Sequence, residues 1–144
     1  MTVIQRIYMT RSEKNQFTVD STDDVCILNQ FKSSTLHIAA MTNHHVAFKK
    51  IMALPKRPSL LSKDAVFENT PLLWGIANCS VNVSLLLLDQ SVVTDSVEMQ
   101  AQINLKCSCN NTPLILLTAK GWKHRESSGL DPDRTLGEVA EALL

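Results

Sequence analysis

The four residues Asn-Thr-Pro-Leu occur twice in the chain, at 69–72 and 111–114, and an apolar run follows each copy. Thr-Pro marks the start of a helix. The Thr hydroxyl at the N-cap accepts a backbone N–H bond from the first turn, and Pro in the next position lacks the N–H that would go unpaired there. A similar start lies in the segment "SSTLHIAA", with Ser as the cap. We therefore predict three helix starts, at Ser34, Thr70 and Thr112.

Each predicted helix is short, and a second apolar segment follows it. Asn43 and Gly121 each lie nine residues after a cap, and both residue types tolerate the left-handed backbone that ends a helix. Helices of about eight or nine residues are marginal alone in water, so neighbouring elements must stabilise them. The second apolar segments predict the partner helices, at 46–54, 81–88 and 136–144.

The spacing of the caps predicts a repeat. Thr70 follows Ser34 by 36 residues, and Thr112 follows Thr70 by 42 residues. A near-constant period built from helix pairs predicts an all-α solenoid, whose units bury their apolar faces against one another.

Three segments carry a family resemblance. "STLHIAA", "NTPLLWGIA" and "NTPLILLTAKG" resemble the Thr-Pro-Leu-His-x-Ala-Ala opening of ankyrin repeats. "INLKCSCNNTPL" at 103–114 resembles the stretch that links such repeats, and "NHHVAFKKIM" at 43–52 is similar to the family's Gly-His turn and second helix. The resemblance covers 25–144. It implies an ankyrin-like solenoid of about three helix-turn-helix repeats with short hairpin fingers, preceded by an N-terminal cap or extension at 1–24.

The chain departs from the family pattern at several positions. Only the first unit keeps the family's His, at His37, which the resemblance assigns to a hydrogen bond between adjacent units. The linking Asp is replaced by Asn29, Ala65 and Cys107. The linking Gly is replaced by Lys32, Glu68 and Asn110. Because Lys and Glu tolerate a left-handed backbone less well than Gly does, we expect the first two fingers to be distorted.

Two segments exceed the usual repeat length, within 89–102 and 122–134. Loops this long inside a compact fold tend to be functional or mobile. Leu85 to Leu88 are four consecutive apolar residues, which on a helix point in all directions. Either the 89–102 segment folds back over them, or they are ordinary surface leucines.

The resemblance also implies where a partner binds, because finger tips and first helices line a concave groove in ankyrin arrays. Phe31 and Phe67 fall at the same finger position in adjacent units, and repeated aromatics are typical of interface anchors. The alternative is that each Phe packs under its own finger. The predicted partner-binding positions are Gln30, Phe31, Met41, Val66, Phe67, Asn78, Ser108, Cys109, Lys120 and Trp122. The last of these begins a polar stretch.

Catalytic, cofactor and metal sites are not expected. Cys107 and Cys109 could join His44, His45 or His124 at a metal, but structural zinc sites space their cysteines further apart and add a second pair. No local pattern marks a Cys/His nucleophile, and the four glycines form no phosphate loop. We therefore expect a protein that is not an enzyme.

The charge and the apolar pattern of the sequence argue against nucleic-acid-binding, secreted and membrane-spanning proteins. Fourteen basic and fourteen acidic side chains cancel, without the concentrated basic face of a nucleic-acid-binding protein. The chain opens without a secretory signal, and its longest apolar stretch is interrupted by Asp89 and too short to span a bilayer. We expect a soluble cytoplasmic monomer with reduced cysteines. Because 136–144 ends on an apolar helix, we also expect the natural chain to continue or this surface to be paired.

The expected function is a non-catalytic protein–protein interaction module or scaffold. Its degenerate repeats resemble those of ankyrin proteins that intracellular bacteria deliver into host cells, which would place it in the host-cell cytoplasm as a bacterial effector in a host–pathogen interaction. The alternative is a substrate-recruiting or regulatory domain of a larger multidomain enzyme.

Overall fold

A computed structural model of the chain describes residues 1–119 and 132–143. These residues are all-α: helices and turns account for their regular structure, and they contain no strand. The all-α prediction is thus confirmed for the described residues. A short 3₁₀ helix spans Lys14–Gln16, and the α-helices are α1 Val3–Met9, α2 Thr35–Met41, α3 His45–Met52, α4 Pro71–Ala77, α5 Val81–Leu87, α6 Ser96–Asn104, α7 over 113–119 and α8 Pro132–Leu143.

The three predicted helix starts are confirmed. Each cap oxygen accepts a hydrogen bond from the backbone N–H three residues on, at 3.3 Å for Ser34, 3.3 Å for Thr70 and 3.4 Å for Thr112. Pro71 occupies the first turn of α4, where its missing N–H leaves no donor unpaired. Helices α2 and α4 have seven residues each, slightly fewer than predicted.

The turns inside the helix pairs share one geometry. Asn43 lies in the left-handed region with φ of 52°, and Cys79 takes the same conformation at the end of α4, with φ of 54°. After each, a backbone N–H reaches five residues back: His44 N to Ala39 O at 2.9 Å, and Ser80 N to Gly75 O at 2.7 Å. The helix stop predicted at Asn43 is confirmed, and the one predicted at Gly121 lies outside the described residues.

Neighbouring helix pairs pack side by side in chain order. Helix α2 packs against α3 and α4, α4 packs against α5, and α3 packs against α5. Helix α1 contacts α2, the 3₁₀ helix contacts α3, and α8 packs on α5. The second helices α3 and α5 lie where they were predicted, whereas α8 begins at Pro132, earlier than the predicted 136, so the end of the predicted 122–134 loop is helical.

The turns that precede the helix pairs form the fingers. Within each finger a backbone N–H bonds to a carbonyl further on: Asn29 to Ser33 at 3.0 Å, Asp64 to Asn69 at 3.0 Å, and Cys107 to Asn111 at 3.1 Å. The second finger therefore contains one residue more than the other two. The expected distortion is found there and not in the first finger.

The position at which the resemblance places an ankyrin Gly is left-handed in all three fingers, with φ of 58° at Lys32, 55° at Glu68 and 63° at Asn110. Adjacent fingers are joined by backbone hydrogen bonds at equivalent positions. The Phe31 carbonyl accepts from the Ala65 N–H at 2.8 Å, and the Phe67 carbonyl accepts from the Ser108 N–H at 2.8 Å. The fingers thus follow the same period as the helix caps.

The 89–102 segment folds back against α5. It contains most of α6, and the Gln102 side-chain amide donates to the Leu87 carbonyl at 2.6 Å. Val93 and Met99 of this segment are buried in the core. Leu87 is fully buried and Leu85, Leu86 and Leu88 are half-buried, so none of the four leucines is an ordinary surface residue.

Candidate partner-binding surface

An Asx side chain shapes each of the first two fingers. In the first, Asn29 Oδ1 accepts the backbone N–H groups of Phe31 and Ser33, both at 2.9 Å. In the second, Asp64 Oδ1 accepts those of Phe67 at 3.3 Å and Asn69 at 2.9 Å. The ankyrin resemblance assigned this position to Ala65, which is wrong: the extra residue in the second finger moves the acceptor back by one. These bonds set the direction in which each Phe leaves its finger.

Phe31 and Phe67 stand at the exposed edge of adjacent fingers. Their exposed fractions are 48 % and 47 %, so neither ring is part of the buried core. Phe67 packs edge-on against the Trp74 ring, with 5.7 Å between ring centroids and an interplanar angle of 67°. The interpretation in which each Phe lies under its own finger fails for Phe31. Phe67 fits that interpretation only in part, because its ring contacts Trp74 but remains about half exposed.

Five large apolar side chains are exposed on these two neighbouring fingers, whereas the others described as exposed lie on α1, α6 and α7 or at the N-terminus. Val66, Ile27 and Leu28 are each about half exposed. The third finger differs, because its exposed tip carries Ser108 and Cys109. We call the exposed side chains of 27–32, 64–68 and 106–110 the finger surface. It is apolar on its first two fingers and polar on its third.

The remaining predicted positions are more scattered. Gln30 is exposed on the first finger, Met41 is half-buried at the end of α2, and Asn78 is exposed and donates its side-chain amide to the Trp74 carbonyl at 3.2 Å. Lys120 and Trp122 lie outside the described residues. Backbone bonds between fingers hold the predicted finger positions side by side. The two described groove positions, Met41 and Asn78, lie at the ends of α2 and α4.

Trp74 of α4 lies against the finger surface and was missed at the sequence level. Its ring contacts Phe67, and its indole N–H donates to Asp64 Oδ2 at 2.8 Å. A signal was present: Trp74 is the one aromatic residue in the three first helices, where the equivalent positions hold Ile38 and Leu116. A large aromatic residue in only one unit departs from the repeat, and the helix itself does not require it there.

Three lysines and a glutamate carry the charge around the finger surface. Lys32 and Glu68 are exposed at the left-handed positions of their fingers. Lys63 directs its ammonium to the Lys106 carbonyl at 3.0 Å, and so ties the second finger to the third. The charges are of both signs and do not form a single-sign patch.

His37 joins adjacent units, as the resemblance implied. Its Nδ1 accepts the Ser34 N–H at 3.1 Å, so Nε2 carries the proton and donates to the Asn69 carbonyl at 2.9 Å. Burial lowers the pKa of His37, because the cation would lose its hydration. His37 is therefore a neutral structural residue behind the second finger.

The metal-site candidates do not assemble among the described residues. Cys107 and Cys109 lie on the third finger, whereas His44 caps α3 and contacts Phe17 and Thr10 at the first helix pair. The described part of the chain holds no group of three or more His, Cys, Asp or Glu side chains arranged to bind a metal ion. His124 lies outside that part.

Within 1–119 and 132–143, no helix has the length and the apolar content needed to cross a bilayer. The chain matches no protein-family model, no curated protein and no solved structure.

Proposed function

We propose that this chain is a non-catalytic interaction module, built of ankyrin-like repeats, which binds a protein partner through its finger surface and the adjoining ends of the first helices. The observation that carries the proposal is the pair Phe31 and Phe67. These two half-exposed aromatics stand at equivalent positions of fingers whose backbones are hydrogen-bonded to each other. Aromatic anchors on a rigid frame are typical of protein interfaces.

The ankyrin-like architecture is supported by features that recur at the spacing of the repeat. Left-handed residues lie 36 residues apart in the fingers at Lys32 and Glu68, and again 36 apart in the helix turns at Asn43 and Cys79. The backbone bonds between fingers start from equivalent carbonyls. Units related in this way place equivalent side chains in a row, which suits an extended partner segment or one face of a folded protein.

The finger surface also has the composition of a binding surface. Exposed apolar side chains scattered singly need no explanation, but here Ile27, Leu28, Phe31, Val66 and Phe67 gather on two neighbouring fingers. Water contacts with these groups are unfavourable, and a partner that covers them would release that water.

The test compares partner capture by three forms of the full chain: the wild type, Phe31→Ala/Phe67→Ala, and the control Met9→Ala/Val97→Ala. The control removes two apolar side chains that are 67 % and 75 % exposed but lie on α1 and α6, away from the fingers. Circular dichroism first establishes that each form is folded. Any protein captured from a proteome is then purified and titrated calorimetrically.

We expect the wild type and the control to bind alike and the finger variant to bind at least roughly thirtyfold more weakly, the loss typical of an anchor residue. A folded finger variant with unchanged affinity would contradict the proposal. If the finger variant unfolds, the two rings are structural, and the single variant Phe31→Ala, whose ring is the more isolated, decides between the interpretations.

A further inference from the structure

The second finger combines a buried carboxylate with an exposed aromatic pair. Asp64 is 3 % exposed, and its Oδ2 accepts the Trp74 indole N–H at 2.8 Å. The Trp74 ring in turn contacts the Phe67 ring edge-on, at 5.7 Å between centroids. Phe67 is 47 % exposed, so one side of the pair is open to solvent. We call Asp64, Phe67 and Trp74 the aromatic shelf.

No cation forms an ion pair with the Asp64 carboxylate among the described residues. The ion pairs there join Arg6 to Asp23 and Arg57 to Glu98. Lys63, next to Asp64 in sequence, has its ammonium on the Lys106 carbonyl. Buried carboxylates are usually paired with a cation, whereas Asp64 is held by three N–H donors, and its carboxylate lies directly behind the exposed rings.

The other groups near the shelf do not supply that cation. His37, the imidazole that faces Asp64, is neutral because its Nδ1 accepts a backbone N–H and its pKa is lowered by burial. Glu68, beside Phe67 on the finger, is exposed and adds a second negative charge. Lys32, Lys63 and Lys106 lie on or beside the same fingers, but among the described residues none of them forms an ion pair with Asp64 or Glu68, so neither carboxylate is already paired with a cation.

The chemistry of the rings points the same way. The face of an aromatic ring attracts cations, and Trp attracts them most strongly. Because the Trp74 N–H is held by Asp64, the polar edge of the indole is occupied and only its apolar surface is left for a ligand. The bond to a carboxylate also enriches the ring in electron density, which strengthens attraction for a cation.

We propose that the aromatic shelf binds a cationic side chain of the partner, and that arginine is preferred. The guanidinium is planar, stacks on aromatic faces and is more weakly hydrated than an ammonium. The partner segment would thus present an arginine to the second finger. This inference rests on the proposed function only for the idea that the cation belongs to a protein; the shelf itself can be tested with peptides.

The experiment follows the indole N–H resonance of Trp74 in the ¹⁵N-labelled full chain, assigned by its loss in Trp74→Phe. The probes are four peptides acetyl-Gly-Xaa-Gly-Xaa-Gly-amide, in which Xaa is Arg, Lys, norleucine or Glu. We expect the Arg peptide to shift this resonance saturably. Norleucine, which keeps the apolar chain without the charge, should bind at least roughly threefold more weakly, and Glu should not bind.

Variants separate the ring face from mere apolar bulk. Phe67→Leu keeps an apolar side chain and removes one ring face, so it should weaken binding of the Arg peptide and leave binding of the norleucine peptide unchanged. Tyr8→Leu is the matched control, because Tyr8 is an exposed aromatic on α1, outside the finger surface. Asp64→Asn removes the charge and can keep the two backbone bonds, as Asn29 does in the first finger. Its single amide oxygen leaves the Trp74 indole N–H without an acceptor, so this variant tests the carboxylate and its bond to Trp74 together.

Equal affinities for the Arg and norleucine peptides would overturn the proposal and leave an apolar shelf. Undiminished Arg binding by Phe67→Leu or by a folded Asp64→Asn would also overturn it. The two proposals fail separately. Arg-peptide binding without any captured partner would support the shelf alone, whereas a captured partner lost from the finger variant, with no Arg-peptide binding, would support the interaction module alone.

Discussion

Two buried histidines of the first helix pair tie it to neighbouring segments, and both do so as neutral imidazoles. His44 Nδ1 accepts the Ala47 N–H at 3.1 Å and so caps α3, while its Nε2 lies 2.9 Å from the Thr10 hydroxyl. Protonation at Nδ1 would destroy this cap. Burial, together with the positive charge of Lys14, lowers the pKa of His44 to about 4. Structural histidines of this kind link the stability of the fold to pH.

The His44 geometry predicts a loss of stability in mild acid. An unfolded His44 binds its proton near pH 6.5, whereas the folded residue binds it only near pH 4. Between these values the unfolded state holds more protons, so the free energy of unfolding falls as pH falls through this window. His44→Asn keeps a cap acceptor that does not titrate. We expect its urea unfolding free energy to decrease less than that of the wild type between pH 7.5 and pH 5.

The pH range of this measurement stays above the titration of the carboxylates. The bidentate ion pair with Arg6 lowers the pKa of Asp23 to about 2, so that its stabilisation is lost only when the pH falls below about 4. His37 is expected to contribute in the same direction as His44, since its pKa is also lowered. Identical pH dependence in His44→Asn and the wild type would contradict the assignment.

Left-handed residues illustrate what single-residue reasoning can and cannot give. Asn43 was predicted to be left-handed because Asn tolerates that backbone, and it is. Cys79, Lys32 and Glu68 adopt it too, although their side chains do not favour it. At those positions the conformation is imposed by the hydrogen bonds of the turn and by packing of the units, which single-residue preferences do not contain.

At the scale of the elements, close approach of α4 and α5 explains a glycine in mid-helix. Gly costs a helix about 1 kcal/mol relative to Ala. A Cβ at Gly75 would lie 2.8 Å from Ser84 Oγ of α5, which is closer than such atoms can approach. The Ser84 hydroxyl is buried and has no hydrogen-bond partner in the described part of the chain. The two small residues therefore allow the helices to meet, at the expense of one unpaired hydroxyl.

This contact predicts strong coupling between two substitutions. Gly75→Ala should destabilise the wild type by about 1 kcal/mol, because overpacking outweighs the gain in helix propensity. In the Ser84→Ala background the obstructing oxygen is gone, and the same substitution should stabilise by up to about 1 kcal/mol. Urea denaturation of the four forms gives the double-mutant cycle. Additive effects would mean that the Ser84 hydroxyl rotates away or that the helices adjust, and that the close approach does not constrain them.

On the scale of the whole molecule, the first 24 residues share the core of the helix pairs. Phe17 is fully buried and meets the His44 ring edge-on, with 5.4 Å between centroids. Its carbonyl accepts the Lys50 ammonium at 2.8 Å, and Ile7 of α1 is also fully buried. These contacts cover the side of the first helix pair that faces away from the second.

If this segment is part of one cooperative unit, a single truncation in it should destabilise the whole chain. We expect Phe17→Ala to reduce the free energy of unfolding by about 3–5 kcal/mol, the usual cost of removing a buried Phe. Tyr8→Ala, in the same segment but 41 % exposed, should cost less than about 1 kcal/mol. Helical circular dichroism during urea denaturation measures both. An unchanged main transition in Phe17→Ala would mean that the segment unfolds separately.

The sequence by itself determined where the helices of the repeats begin and, at Asn43, where one ends. Those features depend on bonds between residues three to five positions apart, such as Ser34 to the His37 N–H. The repeat spacing also placed Phe31 and Phe67 at equivalent finger positions, because the period alone assigns equivalent residues. Local chemistry of this kind can be read without knowing what surrounds it.

Only the tertiary structure decided the composition of the aromatic shelf, the α6 segment folded against α5 and the pairing of Gly75 with Ser84. In each case the decisive contact joins different elements: Asp64 with Trp74, Gln102 with Leu87, or one helix with the next. Whether such groups meet depends on how far one element slides along or rotates against another. Because the second finger has one extra residue, the side-chain acceptor is Asp64 and not the residue at 65. The same carboxylate accepts the indole N–H and so orients Trp74.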